Sequence, residues 1–88
     1  MKFSQNLFAN YRVIKNTAYV VIKDDAYILD EVGQLVWKLI GDGNTLQNVV
    51  REVTETYSDS GDNINNIEMD VKQFIEELLK NKLIEEIL

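Results

Sequence analysis

The run YILDEVGQLVWKLIGDGNT, from Tyr27 to Thr45, does most to limit what this chain can become. A short apolar strand (Tyr27, Ile28, Leu29) passes into a helix with no spacer, and Asp30 stands where an N-cap belongs. Val32, Leu35, Val36, Leu39 and Ile40 recur at helical spacing. Gly41 and Gly43 then stop the helix, and Thr45 is placed to cap the next one. A strand joined to a helix in this way is held rigidly along one side. If its other side is a free edge, an extended peptide can pair there.

The preceding residues read as strands. Tyr11 to Lys15 and Ala18 to Lys23 are β-branched and aromatic, with Asn16-Thr17 as a short hairpin connection between them. Asp24-Asp25 follows, then Ala26 to Leu29. Two-residue breaks demand antiparallel pairing, because parallel strands need a long crossover. The segment 1–10 has no clean period, and Phe3, Leu7 and Phe8 fit either a first strand or a helical turn.

Downstream, the spacing predicts three helices. The first spans about Glu31 to Ile40. The second begins after Thr45 and aligns Leu46, Val49, Val50, Val53 and Tyr57 on one face. Ser58 to Asn66 is polar and reads as a loop, with Ile64 as its anchor to the core. The third helix is expected from near Ile67, capped by Asn65 or Asn66, with Glu68 placed for a capping box with Asn65. Its apolar set is Ile67, Val71, Phe74, Ile75, Leu78 and Leu79, an arc of roughly 140° and wider than a minimal core stripe. Asn81-Lys82 breaks the pattern, and Leu83 to Leu88 suits a short terminal strand. The expected fold class is α+β and winged-helix-like, an N-terminal three-stranded antiparallel meander followed by three helices. Residues 1–88 form one domain.

Composition narrows the function. The chain has no cysteine and no histidine, which removes disulfides, thiolate chemistry and the commonest general base and metal ligand. The acidic pairs Asp24-Asp25, Glu76-Glu77 and Glu85-Glu86 fall on a hairpin tip or on solvent faces, whereas a catalytic pair needs burial and convergence. Gly41-Asp42-Gly43-Asn44 lacks the spacing and lysine of a phosphate loop. Asp59, Asp62 and Asn63 around Gly61 lack the ligand spacing of a calcium loop. The expectation is therefore no enzyme, no metal and no cofactor. A net charge of −6, with Arg12 and Arg51 the only arginines, weighs against nucleic acid. Neither a signal peptide nor a membrane span is visible, which points to the cytoplasm. Trp37 lies off the centre of its helix stripe and is expected at the rim of the core. The wide arc of the third helix is able to serve two ends, packing on the other helices and leaving a margin beside the third strand. Periodicity alone favours the simpler outcome, in which the whole arc is core.

With those residues in place, the chain resembles the PqqD-like proteins, also called RiPP recognition elements. The resemblance rests on Leu29-Asp30 ending the meander, Trp37 in the helix, the Asp42-Gly43 turn with Thr45, the second helix LQNVVREVTETY, and Asp70-Val71 with Phe74 and Leu78-Leu79. It covers about residues 11 to 85, with the polar loop from Ser58 to Asn66 as a departure. It implies a non-catalytic domain that binds the leader segment of a ribosomally made precursor peptide. The leader would add as a strand to the third strand of the meander and sit against the third helix. The domain would present it to a modifying or processing enzyme, such as a radical SAM enzyme, a cyclodehydratase or a leader peptidase (a protease). Carried onto this chain, the strand side of the groove is Ala26, Tyr27, Ile28, Leu29 and Asp30. The helix side is drawn from Asp70, Val71, Phe74, Ile75 and Leu78. An acidic surface then calls for Lys or Arg on the leader or on the enzyme's docking face. The unoccupied edge leaves pairing with a second copy, a homodimer, open. The alternative is a winged-helix DNA-binding or transcription-factor interaction domain, opposed by the charge and by Glu68, Asp70, Glu76 and Glu77 on the would-be recognition helix.

Overall fold

Left-handed residues at two tight turns set the N-terminal half of the computed structural model, which describes residues 2–57 and 64–87. Strands β1 (Lys2–Gln5), β2 (Asn10–Ile14), β3 (Thr17–Ile22) and β4 (Asp25–Leu29) come first. Lys15 and Asn16 have φ of 51° and 67°, the pair of positive values that a two-residue turn needs to match strand twist. The β2–β3 turn is therefore Lys15-Asn16, one residue earlier than expected, and Thr17 joins β3. The β3–β4 turn moves in the same way, to Lys23-Asp24, with Lys23 at φ 53°. Ala18, Val20 and Ile22 alternate into the core from β3, and Leu29 and Tyr27 of β4 pair with Ala18 and Val20 on that face. The meander β2-β3-β4 is antiparallel throughout.

Asp30 caps α1 (Glu31–Ile40) as its position predicts, its Oδ1 accepting from the Gly33 N–H at 2.7 Å. Gly41, at φ 45°, ends the helix. The two-residue strand β5 (Asn44–Thr45) leads into α2 (Leu46–Tyr57), and Thr45 Oγ1 accepts from the Asn48 N–H at 3.1 Å, the expected cap. Trp37 is only 3% exposed, so it belongs to the core and not to its rim. The reason is that α1 touches β1, β4, β5, α2 and α3, leaving little of its circumference for solvent.

Helix α3 (Ile64–Lys80) starts three residues before the expected position. Ile64, Ile67 and Val71 continue one helical period, and Asn65 and Asn66 lie inside the helix instead of capping it. Glu68 consequently pairs with Lys72 one turn on, at 3.1 Å. The rest of the expected loop and the calcium-like cluster, residues 58–63, lie outside the described residues, as does the side chain of Ile64.

The ambiguous N-terminus resolves as a strand. β1 is the centre of a second antiparallel sheet, ordered β5-β1-β6, where β6 is Ile84–Ile87. Phe3 is buried, while Leu7 and Phe8 stand exposed in the following turn. The architecture is thus α+β, with strands, then three helices, and two small antiparallel sheets. Val20, Val36, Ile40, Val49, Val53 and Val71 fill the space between sheets and helices.

Candidate functional site

The antiparallel alternation identifies which backbone groups of β4 are unused. Ile22 and Asp25 close a two-residue turn, which makes them a hydrogen-bonded pair. Val20–Tyr27 and Ala18–Leu29 are then hydrogen-bonded too, and Val21–Ala26 and Tyr19–Ile28 are not. The N–H and C=O groups of Ala26 and Ile28 therefore point away from β3. Among the described residues nothing pairs with that side: β4 ends its sheet, and both terminal strands belong to the other one.

Beside this edge runs a cleft of about 110 Å³ between β4 and α3, lined by Tyr27, Ile28, Leu29, Phe74, Glu77, Leu78, Asn81 and Leu83. Leu29, Leu78 and Leu83 are buried and make its floor; Tyr27 and Phe74 are half-buried; Ile28 is 69% exposed. The end of α3 builds part of this floor. Lys82 turns left-handed at φ 63°, its N–H donates to Leu79 O at 3.1 Å, and the Leu83 N–H donates to Leu78 O at 2.9 Å. That bonding pattern is a Schellman stop, whose hydrophobic partner rule brings Leu83 against Leu78. Gly33 serves the other end. A Cβ there would lie 2.9 Å from Phe74 Cζ, so only glycine lets the ring approach α1 so closely.

The ten residues singled out by sequence therefore divide. Tyr27, Ile28, Leu29, Phe74 and Leu78 come together in the cleft. Ala26 is exposed along the edge and offers backbone. Asp30 is exposed, with one carboxylate oxygen engaged as the α1 cap. Val71 and Ile75 are core residues. Asp70 is exposed and does not line the cleft. Glu77, Asn81 and Leu83 also line it and were missed. The helix break at Asn81-Lys82 carried a signal for Leu83, since the residue after such a stop returns to the helix's last apolar turn. Glu77 and Asn81 form a polar rim, the Asn81 Nδ2 donating to Glu77 O at 3.0 Å.

The arrangement offers apolar surface and main-chain hydrogen bonds. No cluster of metal-ligating side chains occurs among the described residues. Nor is any helix among them long and apolar enough to cross a membrane. Near the start of α1, the Tyr57 phenol is held above its ordinary pKa by burial first and by Glu31 and Asp30 second.

A family model described as Coenzyme PQQ synthesis protein D (PqqD) matches residues 18–84, from β3 to the start of β6. No curated protein and no solved structure matches the chain.

Proposed function

This chain belongs to the PqqD family, and from that premise we propose that its β4 edge and the adjoining cleft hold a leader peptide as an added strand. Members of the family are non-catalytic chaperones that bind a precursor peptide and work with a radical SAM enzyme. The finer reading concerns where and how this chain does so. The observation that carries it is the juxtaposition of two donors and two acceptors on Ala26 and Ile28, unpaired among the described residues, with an apolar floor of Leu29, Leu78 and Leu83.

The energetics are adequate. Ordering a flexible leader costs about 2–5 kcal/mol. Main-chain bonds contribute about 0.5–1.5 kcal/mol each, and a fully buried apolar side chain about 1.5–3 kcal/mol. Four such bonds and two anchored side chains, near the upper ends of these ranges, reach the roughly 8 kcal/mol of micromolar affinity. In this reading the whole chain, residues 1–88, acts as one winged-helix-like peptide-binding domain in the cytoplasm. It passes the leader to a modifying enzyme or a leader peptidase. Edge-to-edge pairing of two copies through β4 would compete with the guest. DNA binding finds no support on α3, where Glu68, Asp70, Glu76 and Glu77 outnumber Lys72 and Lys80.

The test starts from a displayed library of random extended peptides selected on the wild-type protein. The strongest binder is synthesised, labelled and titrated by fluorescence anisotropy. Ile28→Pro removes an edge donor that makes no bond to β3, at an exposed position, so the fold survives. Circular dichroism checks that it does. Binding is expected to fall at least tenfold. A folded Ile28→Pro protein that binds the peptide like wild type refutes strand addition at this edge.

A further inference from the structure

A second and larger cleft, of about 810 Å³, opens beside the first Asp25 end of β4 and shares Asn81 with the strand-side cleft. Its apolar members are Phe8 and Ile22, and Lys23, Asp25, Lys82 and Glu85 stand around them. The cleft is open to solvent, and its volume lies within the range of ligand-holding clefts, about 300–1,000 Å³. Two cations and two anions leave the rim without a preferred sign of charge, and no ion pair among the described residues joins them.

Phe8 is the unusual member. Its ring is 80% exposed and its neighbour Leu7 96% exposed, yet the turn that carries them is tightly fixed. Asn6 Oδ1 accepts from the Phe8 N–H at 2.9 Å, and Asn6 O accepts from the Ala9 N–H at 3.0 Å. The Asn6 N–H and Nδ2 donate to Leu83 O at 2.9 Å and to Lys82 O at 2.8 Å, tying the turn to the end of α3. An aromatic ring presented to water on a braced turn has already met the ordering cost that binding would otherwise impose. Asn6 and Phe8 also precede the residues matched by the family model.

We propose that this cleft is a side-chain subsite for the same peptide, taking one large apolar residue just beyond the segment paired with β4. The proposal rests on strand addition at β4. A guest pairing antiparallel, the stronger mode, runs against the Asp25-to-Leu29 direction, so its C-terminal side passes Asp25. Leu29, Tyr27 and Asp25 share the inner face of β4, as their pairing with Ala18, Val20 and Ile22 requires. Guest side chains opposite Leu29 and Tyr27 therefore enter the narrow cleft with Phe74 and Leu78. The next side chain on that face, two residues further toward the guest's C-terminus, stands opposite Asp25 and enters the cleft of Phe8 and Ile22. The neutral balance of the rim makes a neutral, bulky side chain the favoured occupant.

The experiment selects a displayed random-dodecapeptide library in parallel on wild type, Phe8→Ala and Ile28→Pro. Phe8 is exposed and outside the core, so its truncation leaves the fold intact, which circular dichroism confirms. Wild type is expected to enrich peptides with alternating apolar residues and a bulky apolar one two positions C-terminal to the last cleft residue. Phe8→Ala is expected to keep the alternating pair, lose the preference at the added position, and bind the wild-type consensus peptide roughly tenfold more weakly. If Phe8→Ala enriches the same residue at that position and binds equally well, the subsite is refuted while strand addition stands. If Ile28→Pro enriches the same peptides as wild type, strand addition fails and the subsite fails with it.

Discussion

Replacing Gly33 by alanine tests the link between α1 and the cleft proposed to hold the peptide. A Cβ at this position would lie 2.9 Å from Phe74 Cζ, 3.2 Å from Phe74 Cε2 and 3.1 Å from Asp30 Oδ1. Ordinary carbon contacts begin near 3.5 Å, so the ring must retreat by about 0.6 Å or more. Its edge is the far end of a half-exposed side chain, and the open direction is the cleft of about 110 Å³ that it lines. Stability changes little, because two terms oppose. Alanine gains about 0.8–1.0 kcal/mol of helix propensity over glycine, while crowding the ring and the cap carboxylate takes back a similar amount. The melting temperature should stay within about 4–8 °C of wild type, the shift that 1 kcal/mol produces in a domain of this size. Binding does not share that cancellation. A ring pushed into the cleft overpacks any guest side chain, at about 1–3 kcal/mol, which weakens the peptide roughly 5- to 150-fold. The assay is anisotropy titration of the library-selected peptide, paired with thermal melting. Adding Phe74→Leu should restore room, and the double-mutant cycle should show coupling above about 0.5 kcal/mol. Unchanged affinity in Gly33→Ala, or strict additivity in the cycle, would show that Gly33 does not set the position of Phe74.

Two further perturbations probe local features. Lys82 holds φ 63° at the Schellman stop, a conformation costing a side-chain-bearing residue about 1–2 kcal/mol. Glycine there relieves the strain and loses about 0.5–1 kcal/mol of chain entropy. Lys82→Gly should therefore raise the melting temperature by a few degrees, about 0.5–1 kcal/mol, and a lower one would contradict the assignment. Tyr57 carries a raised pKa, through burial and then Glu31 and Asp30. Its folded value exceeds the unfolded value, so its contribution is whole below the ordinary 10.0 and is lost as pH climbs through the folded value. The stability difference between wild type and Tyr57→Phe in urea melts should shrink or turn against wild type as pH rises above 10.0. A difference that does not change with pH would exclude the effect.

Much of the fold was legible because its cues are local. Asp30 and Thr45 cap helices wherever such residues precede an apolar helical period, and Gly41 stops one by a backbone angle that few other residues adopt. The antiparallel meander followed from its short connections alone. Its turns were misplaced by one residue because Lys15 and Lys23, ordinary lysines in composition, adopt left-handed angles that strand twist imposes. The start of α3 was misplaced because Asn65 and Asn66 look like caps, although the apolar period already continues back to Ile64.

What the chain determines by itself is the order and face of its elements, together with the absence of thiol and imidazole chemistry. Which side of α3 serves the cleft was decided only in three dimensions. Val71, Ile75, Leu78 and Phe74 share one broad apolar arc, and period cannot separate residues that belong to the same stripe. The division comes from where α1 and β4 pass: Val71 and Ile75 meet the core, while Phe74 and Leu78 meet β4 beside its unpaired edge. The pairing of β1 with β5 and β6 in a separate sheet, which leaves that edge without a partner strand among the described residues, is equally a long-range outcome. Contacts between residues so far apart in sequence leave no periodic trace in either segment, since each strand's pattern specifies a face and not a partner.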